Sequence, residues 1–334
     1  LVFTSGGSEA DCLAILGAAR AARSRGRHVV TAATEHHAVL HAFEALRDEG
    51  FEVTVLPVDA DGRIDPLAYE AALRPDTTLV SLMLANNELG TLHPIAALAR
   101  VARRRGILFH TDAVQAPGRV ALDVAALDVD LLSLSAHKLY GPKGVGLLYV
   151  RSGTPVAPLV VGGGQEAGLR AGTENVAGIV GFARALELAV AELPVEAPRV
   201  QRLRDRFESA ILASIPDARA NGAGAPRLPS VSSIAFGGIE AATLLVRLDL
   251  EGVALSAGSA CAAGATTPSH VLEAIGAPAW AAEGTLRFSF GKLTSETDVE
   301  RLVALLPRVV SQVRGVDVGT SASGSRSLQP EVRS

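Results

Sequence analysis

The sequence predicts an α/β fold, with a doubly wound, mostly parallel seven-stranded sheet followed by a smaller α+β C-terminal domain. Short apolar runs alternate with helical periodicity through the first half of the chain, and this alternation is typical of parallel sheets joined by helices. After about residue 173 the pattern changes to long helices with few strands between them. The chain has 334 residues, which is long enough for two domains and a large core.

Each strand of the first half is predicted at a short apolar run. These runs are residues 1–4, 28–32, 52–56, 78–85, 107–111, 130–135 and 146–150. The helices between them are predicted from apolar positions three and four residues apart, with Pro94 as a first helical residue. They are residues 9–23, 38–49, 66–73 and 94–105.

The second half predicts a different layout. Its helices are predicted at residues 174–191, 199–214, 239–249 and 297–312, and its strands at 231–236, 253–255 and 286–290. We therefore divide the chain into a large domain (1–193), a small domain (194–315) and a tail (316–334). The tail is rich in Ser and Gly and is predicted to be disordered.

Composition excludes several classes of protein. The net charge is −4, so no basic field favours nucleic-acid binding, and the arginine clusters at 20–27 and 100–105 are interpreted as solvated helix ends. The two cysteines, Cys12 and Cys261, are too few for a disulfide scaffold and favour a reducing compartment. No apolar run approaches the ~20 residues of a membrane span, and no signal peptide is recognisable. The chain begins without Met in a predicted strand, so we expect it to be a fragment that lacks its natural N-terminus.

Polar side chains cluster where five predicted strands end. Because ligands of open α/β sheets bind beyond the carboxyl ends of the strands, this regularity predicts one pocket. The clusters are residues 5–8, 35–37, 86–88, 112 with 115, and 135–138.

Residues 5–9 follow a strand and open a helix. Backbone amides and a hydroxyl at a helix N-terminus can bind a phosphate, and glycines allow close approach. Ser8 could equally be a simple helix cap.

Asp112 and Lys138 end two further strands. A buried Asp112 needs a partner, and a protonated pyridine nitrogen would serve, although a turn cap explains it as well. Lys138 stands beside His137 at a crowded strand end, which suits Schiff-base formation, whereas most single lysines lie on the surface. The tight turn at residues 140–146 favours the first interpretation.

Two motifs suggest other chemistry. His37 and His41 are spaced to bind zinc from one helix face, but no third ligand is evident, and a neutral His36 packed flat on an aromatic cofactor fits better. Ser135 and Lys138 match the Ser-x-x-Lys pattern of penicillin-binding enzymes, whose companion motifs are missing here.

Cys261 and Arg287 are the candidates of the second half. Cys261 lies in a run of small residues (255–268) that suits an exposed, nucleophilic thiol, whereas Cys12 sits among apolar residues and is predicted to be a packed structural thiol. Arg287 could clamp a substrate carboxylate or form a structural ion pair.

Together these motifs closely resemble those of cysteine desulfurases of the NifS/IscS type, which are pyridoxal 5′-phosphate (PLP) enzymes of the class V aminotransferase superfamily. The motifs stand in family order, extend from residue 1 to about 312 and are specific as a set. They are FTSGGSE (3–9), TEHHAVL (34–40), NNELG (86–90), HTDAVQ (110–115), SAHKLYGPKG (135–144), GGGQE (162–166), LRAGTEN (169–175) and SAGSAC (256–261).

The resemblance implies fold type I of the PLP-dependent transferases and a role for each matching residue. Lys138 is implied to carry PLP as a Schiff base and to move protons, Asp112 to pair with the pyridine nitrogen, and His36 to stack on the ring. Gln115 and Asn87 are implied to face the ring oxygen and the substrate. The residues implied to hold the phosphate are Gly7, Ser8, Ser135 and His137, with Thr173 supplied across a homodimer interface.

The resemblance also implies the reaction. Arg287 would hold the carboxylate of L-cysteine, and Cys261 would attack its sulfur, leaving L-alanine and a persulfide on Cys261. The implied acceptor of the sulfur is an iron–sulfur scaffold protein or a protein that makes another thio-cofactor. We expect a cytoplasmic enzyme with no nucleic-acid or membrane partner. No resident metal is expected, and Cys261 would contact an iron–sulfur cluster only transiently.

Three departures from the family pattern stand out. Ser8 replaces the usual Thr and keeps its hydroxyl, and Gly7 replaces the usual Ala. A missing N-terminal segment, which in the family helps to build the small domain, is expected to lower stability or activity. Two rivals stay open: another class V PLP enzyme such as a selenocysteine lyase or an aminotransferase, and a non-catalytic scaffold. The Cys261 loop argues against a simple aminotransferase, and the set of Lys138, Asp112 and His36 argues against the scaffold.

Overall fold

The computed structural model describes residues 1–258 and 269–315. The predictions made for Cys261 and for the tail 316–334 lie outside these described residues.

A seven-stranded sheet organises the first half of the described chain, in the order β1-β7-β6-β5-β4-β2-β3. All neighbouring strands are parallel except β7, which runs antiparallel to β1 and β6. The strands are β1 (Val2–Thr4), β2 (His28–Ala32), β3 (Glu52–Leu56), β4 (Thr77–Ser81), β5 (Leu108–Asp112), β6 (Leu131–Ser135) and β7 (Gly146–Val150).

Helices cover both faces of this sheet, as the doubly wound prediction requires. Along the chain they are α1 (Gly7–Ala21), α2 (His37–Asp48), α3 (Pro66–Ala72), α4 (Ile95–Arg104), α5 (Val124–Leu127) and α6 (Val176–Ser214). On one face, Leu13 and Phe43 of α1 and α2 pack over the strands. On the other, Tyr69, Leu98 and Phe182 of α3, α4 and α6 do so. Because both faces are covered, every residue of β2, β4 and β6 is buried, the polar ones included.

The second half builds its own three-stranded antiparallel sheet, in the order β10-β9-β8. Its elements are β8 (Ala218–Asn221), β9 (Val231–Phe236), α7 (Ala241–Leu250), α8 (His270–Ala274), α9 (Ala279–Glu283), β10 (Thr285–Ser289) and α10 (Glu296–Val313). Phe207 of α6, Phe236 of β9 and Phe288 of β10 meet in a separate apolar core. No helix of the described ranges is long and apolar enough to cross a bilayer.

The predicted break between helices 174–191 and 199–214 is wrong, because α6 is continuous and contains Pro194 and Pro198. Both prolines are exposed, so the backbone carbonyls that lose a helical partner can bond to water. Phe182 and Phe207 anchor α6 in the two cores. The division of the chain at residue 193 stays a prediction.

Three smaller predictions were also wrong. The strand predicted at 78–85 ends at Ser81, because the chain turns beyond it and Ala85 bridges to Leu92 instead. Residues 253–255 form no strand, since pairing with β10 is limited to Ser256. Pro94 is the N-cap of α4 rather than its first helical residue. Strand β8 was not predicted, because its sequence, ARAN, contains no apolar run.

Candidate active site

The N-terminus of α1 forms one end of the candidate site. Gly6 occupies the cap position and has no side chain to bond to the first amides of the helix. Helix α1 has 15 residues, and an uncapped N-terminus of that length attracts an anion through its amides and dipole. Gly7 and Ser8 are the first two residues of this turn, so their predicted positions at an anion site agree with the fold.

Ser135 and His137 face the same turn. A Cβ placed on Gly7 would lie 3.4 Å from the Ser135 Cβ and 2.9 Å from Val114. The Ser135 hydroxyl lies 2.9 Å from His137 Nδ1, which links the end of β6 to the turn after it. Four of the predicted phosphate residues are therefore neighbours although they come from two separate segments.

Lys138 lies in a 3₁₀ turn, Ala136–Leu139, directly after β6. Tyr140 ends this turn in the left-handed conformation (φ 64°), and its hydroxyl accepts from the Lys292 amide at 2.8 Å. Arg119 donates to the Lys138 carbonyl at 3.1 Å and to the Gln115 carbonyl at 2.9 Å. Hydrogen bonds made by Arg119 and by Tyr140 thus fix the backbone on either side of Lys138.

Asp112 and His36 lie close enough to Lys138 for its charge to act on both. Burial raises the pKa of Asp112 to about 6, while the Val114 amide and the Lys138 charge oppose that rise. Burial lowers the pKa of His36, and the charge of Lys138 lowers it further. A neutral His36 accepts the Ala38 amide at Nδ1 (3.1 Å), so its own proton sits on Nε2. The structure brings these three predicted residues together.

Arg287 and Asn87 meet across the boundary between the two halves. Arg287 Nη1 donates to the Asn87 carbonyl at 3.0 Å. Arg287 lies in the middle of β10, and its backbone amide donates to the Ser256 carbonyl at 2.8 Å. This contact orients a guanidinium beside the loop after β4, where a substrate carboxylate could reach it.

Gly258 and Ser269, the described residues on either side of the segment that contains Cys261, lie beside the same loop. A Cβ on Gly258 would lie 3.3 Å from the Ser269 Cβ and 3.6 Å from the Glu88 carboxylate. Ser269 donates to Glu88 at 2.5 Å, and His270 Nε2 donates to the Glu35 carbonyl at 2.9 Å. The described residues on either side, Gly258, Ser269 and His270, therefore lie near Asn87 and His36.

Two other predictions about cysteine and histidine can be compared with the structure. Cys12 packs against the apolar cluster of α1 and α2, and burial raises its pKa, which fits the predicted structural thiol. His37 stacks on His41 with ring centroids 5.3 Å apart. In ranges 1–258 and 269–315, no group of three or more His, Cys, Asp or Glu side chains is placed to hold a metal ion.

Thr173 is not brought into this cluster. It is exposed, between Gly172 and the start of α6. Val161, Val176 and Val180 are exposed around it, at 79%, 66% and 63%. A single chain therefore leaves this predicted residue outside the pocket.

Sequence reasoning missed several buried polar residues behind the site. Asp11 and His110 are two of them, at 2% and 0% exposure, and the partly buried Arg119 is a third. Polar residues on buried faces carry no pattern of their own in a sequence. The available signal for Asp11 was its position on the apolar side of α1, next to Ala10 and one turn before Ala14.

A cavity of about 270 Å³ lies on the opposite side of Lys138, between α6 and the second half. Its walls include Arg119, Tyr140, Leu188 and Phe290. Lys138 also lines it, whereas Asp112, His36 and Ser135 do not, so the cavity adjoins the candidate site at Lys138 and extends away from it.

Comparison with known proteins decides the family. The model of the class-V aminotransferases matches residues 1–302. The chain belongs to the class-V aminotransferase family. It is 47% identical over 316 residues to the cysteine desulfurase IscS of Dictyoglomus turgidum, an alignment that covers 95% of this chain and 80% of that protein.

Solved structures agree with this family. A structure titled NifS-like protein superposes with a TM-score of 0.86 at 37% identity and covers 93% of this chain and 82% of its own. A structure titled SspA in complex with cysteine gives a TM-score of 0.75 at 39% identity, over 86% and 80% of the two chains. The predicted fold class, the predicted resemblance to cysteine desulfurases and the predicted dependence on PLP are confirmed.

The residues of this class-V aminotransferase chain fit PLP. Gly6 leaves the N-terminus of α1 uncapped for a phosphate. Asp112 offers a buried carboxylate to a pyridinium, and the charge of Lys138 acts on both that carboxylate and His36. The assignment of each residue to a role stays a prediction.

Proposed function

We propose that this chain is a PLP-dependent cysteine desulfurase that converts L-cysteine to L-alanine and keeps the sulfur as a persulfide on Cys261. The observation that supports it most directly is the meeting of Lys138, Asp112 and His36 at the ends of three different strands. One lysine, one buried carboxylate and one neutral imidazole are the groups that a PLP enzyme needs around the ring. The cysteine-bound relative points to the substrate.

Each of these residues has a definite task in the proposed mechanism. Lys138 binds PLP covalently and afterwards carries a proton at Nζ. Asp112 accepts the pyridinium hydrogen bond, and His36 covers the ring while its Nε2 keeps the proton. Ser8 and Ser135 bind the phosphate with the first amides of α1. Bound PLP supplies an electron sink beside the substrate Cα.

The substrate is held by Arg287, Asn87 and Gln115. The guanidinium of Arg287 binds the carboxylate, and its bond to the Asn87 carbonyl fixes the direction of the fork. Lys138 Nζ would take the Cα proton and, once the Cβ–S bond has broken, would return one proton to Cβ and one to Cα, the additional proton being the one that the Cys261 thiol releases. Helix α6 and Tyr140 lie behind Lys138 and limit where its Nζ can move.

The Cys261 thiolate attacks the sulfur of the substrate as the bond from that sulfur to Cβ breaks. The Cβ atom is reduced because it exchanges its sulfur for hydrogen, and the two sulfur atoms are oxidised to the persulfide state. L-Cysteine and one protein thiol thus give L-alanine and one persulfide, with no outside oxidant. A thiol of an acceptor protein, such as an iron–sulfur scaffold, then takes the terminal sulfur.

We propose further that the enzyme is a homodimer in which Thr173 reaches the phosphate of the partner's site. Thr173 lies outside the pocket of its own chain and beside exposed valines, as a residue that acts in trans would. A cytoplasmic location fits a mechanism that needs a free thiolate, since thiols stay reduced there.

The test is sulfur release from L-cysteine together with mass spectrometry of Cys261. Wild-type protein should form alanine and carry a persulfide on Cys261. Cys261→Ala should form no persulfide, and Lys138→Ala should lose both the visible absorbance of bound PLP and the activity. Full activity of Cys261→Ala would contradict the proposed sulfur carrier.

The two rival functions give different results. A preference for selenocysteine over cysteine, measured as kcat/KM, would indicate a selenocysteine lyase. Purified protein without an absorbance that depends on Lys138 would indicate a non-catalytic scaffold.

A further inference from the structure

A line of buried polar side chains runs through the sheet directly behind the candidate site. His110 of β5 has Nδ1 2.7 Å from the Ser81 hydroxyl of β4 and Nε2 2.9 Å from the Ser133 hydroxyl of β6. His110 Nε2 also lies 3.7 Å from an Asp11 carboxylate oxygen of α1. Four side chains from four elements thus form one chain that is sealed from water.

Asp11 ends this chain with too few partners for an anion. Its Oδ1 is buried and has no hydrogen-bond partner in the described ranges. The nearest basic group is His110, and burial lowers the pKa of His110 to about 3, so this imidazole is neutral. An unpaired carboxylate in a dry interior costs several kcal/mol, and such a group takes up a proton instead.

The other charges around Asp11 act in the same direction. The titratable groups that face it are Asp112, Glu35, His110 and Cys12. Burial raises the pKa of Asp11 well above its usual range, and the carboxylates of Asp112 and Glu35 raise it further, while a side-chain hydrogen bond with Ser133 opposes the rise without cancelling it. Burial also raises the pKa of Glu35 well above its usual range. Of the three carboxyls, only Asp112 has a cation, Lys138, close to it.

We propose that Asp11 is a neutral carboxylic acid, held by the Ser133–His110–Ser81 chain, and that it leaves Asp112 as the single anion beneath the cofactor ring. The Asp11 hydroxyl donates to Ser133 Oγ, Ser133 donates to His110 Nε2, and His110 Nδ1–H donates to Ser81 Oγ. Ser133 and His110 then each accept one hydrogen bond and donate one. Asp11 acts through Asp112 and is a positioning residue, so the inference rests on the proposed pairing of Asp112 with the pyridine nitrogen.

The proton on Asp11 can be observed directly. Infrared difference spectra between the apo-protein and its Asp11→Asn variant at pH 7.5 should show the carbonyl stretch of a carboxylic acid, shifted by D₂O. The matched control is Asp249→Asn, at an exposed position of α7, which should remove only carboxylate bands. A carboxylate signal for Asp11 would overturn the proposal.

A second variant keeps the test decisive if Asp11→Asn does not fold. Ser133→Ala retains Asp11 but removes its hydrogen-bond partner, so the acid carbonyl band should move to higher frequency. An acid band that stays in place in Ser133→Ala would contradict the relay.

PLP affinity separates this inference from the proposed function. Asp11→Asn keeps a neutral side chain, and we expect it to weaken PLP binding by no more than about threefold. Asp112→Asn removes the anion and should weaken it by at least about tenfold. If Asp11→Asn weakens PLP as much as Asp112→Asn does, Asp11 is a second anion and the inference fails. If Asp112→Asn binds PLP normally, the proposed pairing of Asp112 with the pyridine nitrogen fails while the infrared result for Asp11 still stands.

Discussion

If Asp112 pairs with the pyridine nitrogen as proposed, its protonation and PLP binding are coupled. Burial raises its pKa to about 6, so in the apo-protein it ionises about two pH units higher than an exposed aspartate. Only the ionised form can receive a pyridinium. Below pH 6 the carboxyl binds a proton instead, and PLP must displace that proton to bind.

PLP affinity should therefore fall as the pH drops through 6. Between pH 7.5 and 5 we expect a loss of about tenfold at Asp112. The measurement is a titration of apo-protein with PLP at several pH values. PLP has ionisations of its own, so the comparison is with Asp112→Asn, in which this step should be missing. Equal pH profiles for the two proteins would contradict the role of Asp112.

Arg119 should support catalysis without touching the substrate. Its two hydrogen bonds, to the carbonyls of Gln115 and Lys138, use the planar fork of a guanidinium. Arg119→Lys keeps the charge and loses the fork, so Lys138 gains freedom to move. We expect kcat to drop by about tenfold with KM nearly constant.

The matched control for Arg119 is Arg100→Lys, at an exposed position of α4, which should keep the wild-type kcat. Thermal unfolding of both variants would show whether the folds are intact. A rise in KM alone for Arg119→Lys would place Arg119 in substrate binding instead.

The sequence predicted the residues that end strands and missed those that stand behind them. Lys138, Asp112 and His36 could be found because functional side chains at the carboxyl ends of neighbouring strands must converge. Asp11 and His110 occupy buried positions of a helix and a strand. Their contacts depend on how α1 lies across the sheet, and that information is not local in the sequence.

At the scale of elements, β7 controls how closely the turn at Gly6 and Gly7, where α1 begins, approaches the sheet. Gly146 pairs with Thr4 of β1 on one side and with Ser135 of β6 on the other. A Cβ at Gly146 would overlap the backbone carbonyl of Gly6. The small residue at this point lets the turn before α1 close over the end of the sheet.

Gly146→Ala should push Gly6 and Gly7 away from Ser135. We expect a loss of about 1–3 kcal/mol in the free energy of unfolding, together with weaker PLP binding. Denaturant unfolding of the apo-protein and PLP titration measure the two effects. The control is Gly164→Ala, where an added Cβ meets nothing within 4 Å and φ is −85°. Unchanged PLP affinity in Gly146→Ala would show that the turn does not hold the phosphate.

Helix α6 shows where element prediction from sequence fails. Two prolines four residues apart predict a break, because each removes one helical hydrogen bond. The helix continues because apolar residues on both sides of the prolines are fixed in different cores, as Phe182 and Phe207 are. Tertiary packing outweighs local propensity at such a site. By contrast, strands such as β2 and β9 were predicted to the residue, since their apolar runs are bounded by polar or turn-forming residues.

At the scale of the whole molecule, the position of Thr173 and the exposed valines suggest that one chain does not complete the site. Val161 and Val176 expose most of their side chains. The Ala171 amide donates to the Val160 carbonyl at 3.1 Å, which holds the segments that carry these valines together. Large exposed apolar side chains on neighbouring segments are typical of a subunit interface.

Replacing Val176 with Asp should dissociate the proposed dimer, because a carboxylate cannot be buried there without a partner. Sedimentation should show a monomer, and PLP affinity should fall as the partner's Thr173 is lost. Thr173→Ala should remain dimeric and still bind PLP more weakly. Val246→Asp, at an exposed position of α7, is the matched control and should leave both properties unchanged.

Co-expression of two impaired chains, Thr173→Ala and Lys138→Ala, tests whether Thr173 acts in trans. In a mixed dimer of Thr173→Ala and Lys138→Ala chains, the site that keeps Lys138 belongs to the first chain and would receive Thr173 from the second. Random pairing makes half of the dimers mixed, so roughly a quarter of all sites should recover wild-type PLP binding and desulfurase activity. The other site of each mixed dimer lacks both groups. If Thr173 served its own chain, no site in the mixture would contain both residues, and activity would stay at the level of the single variants.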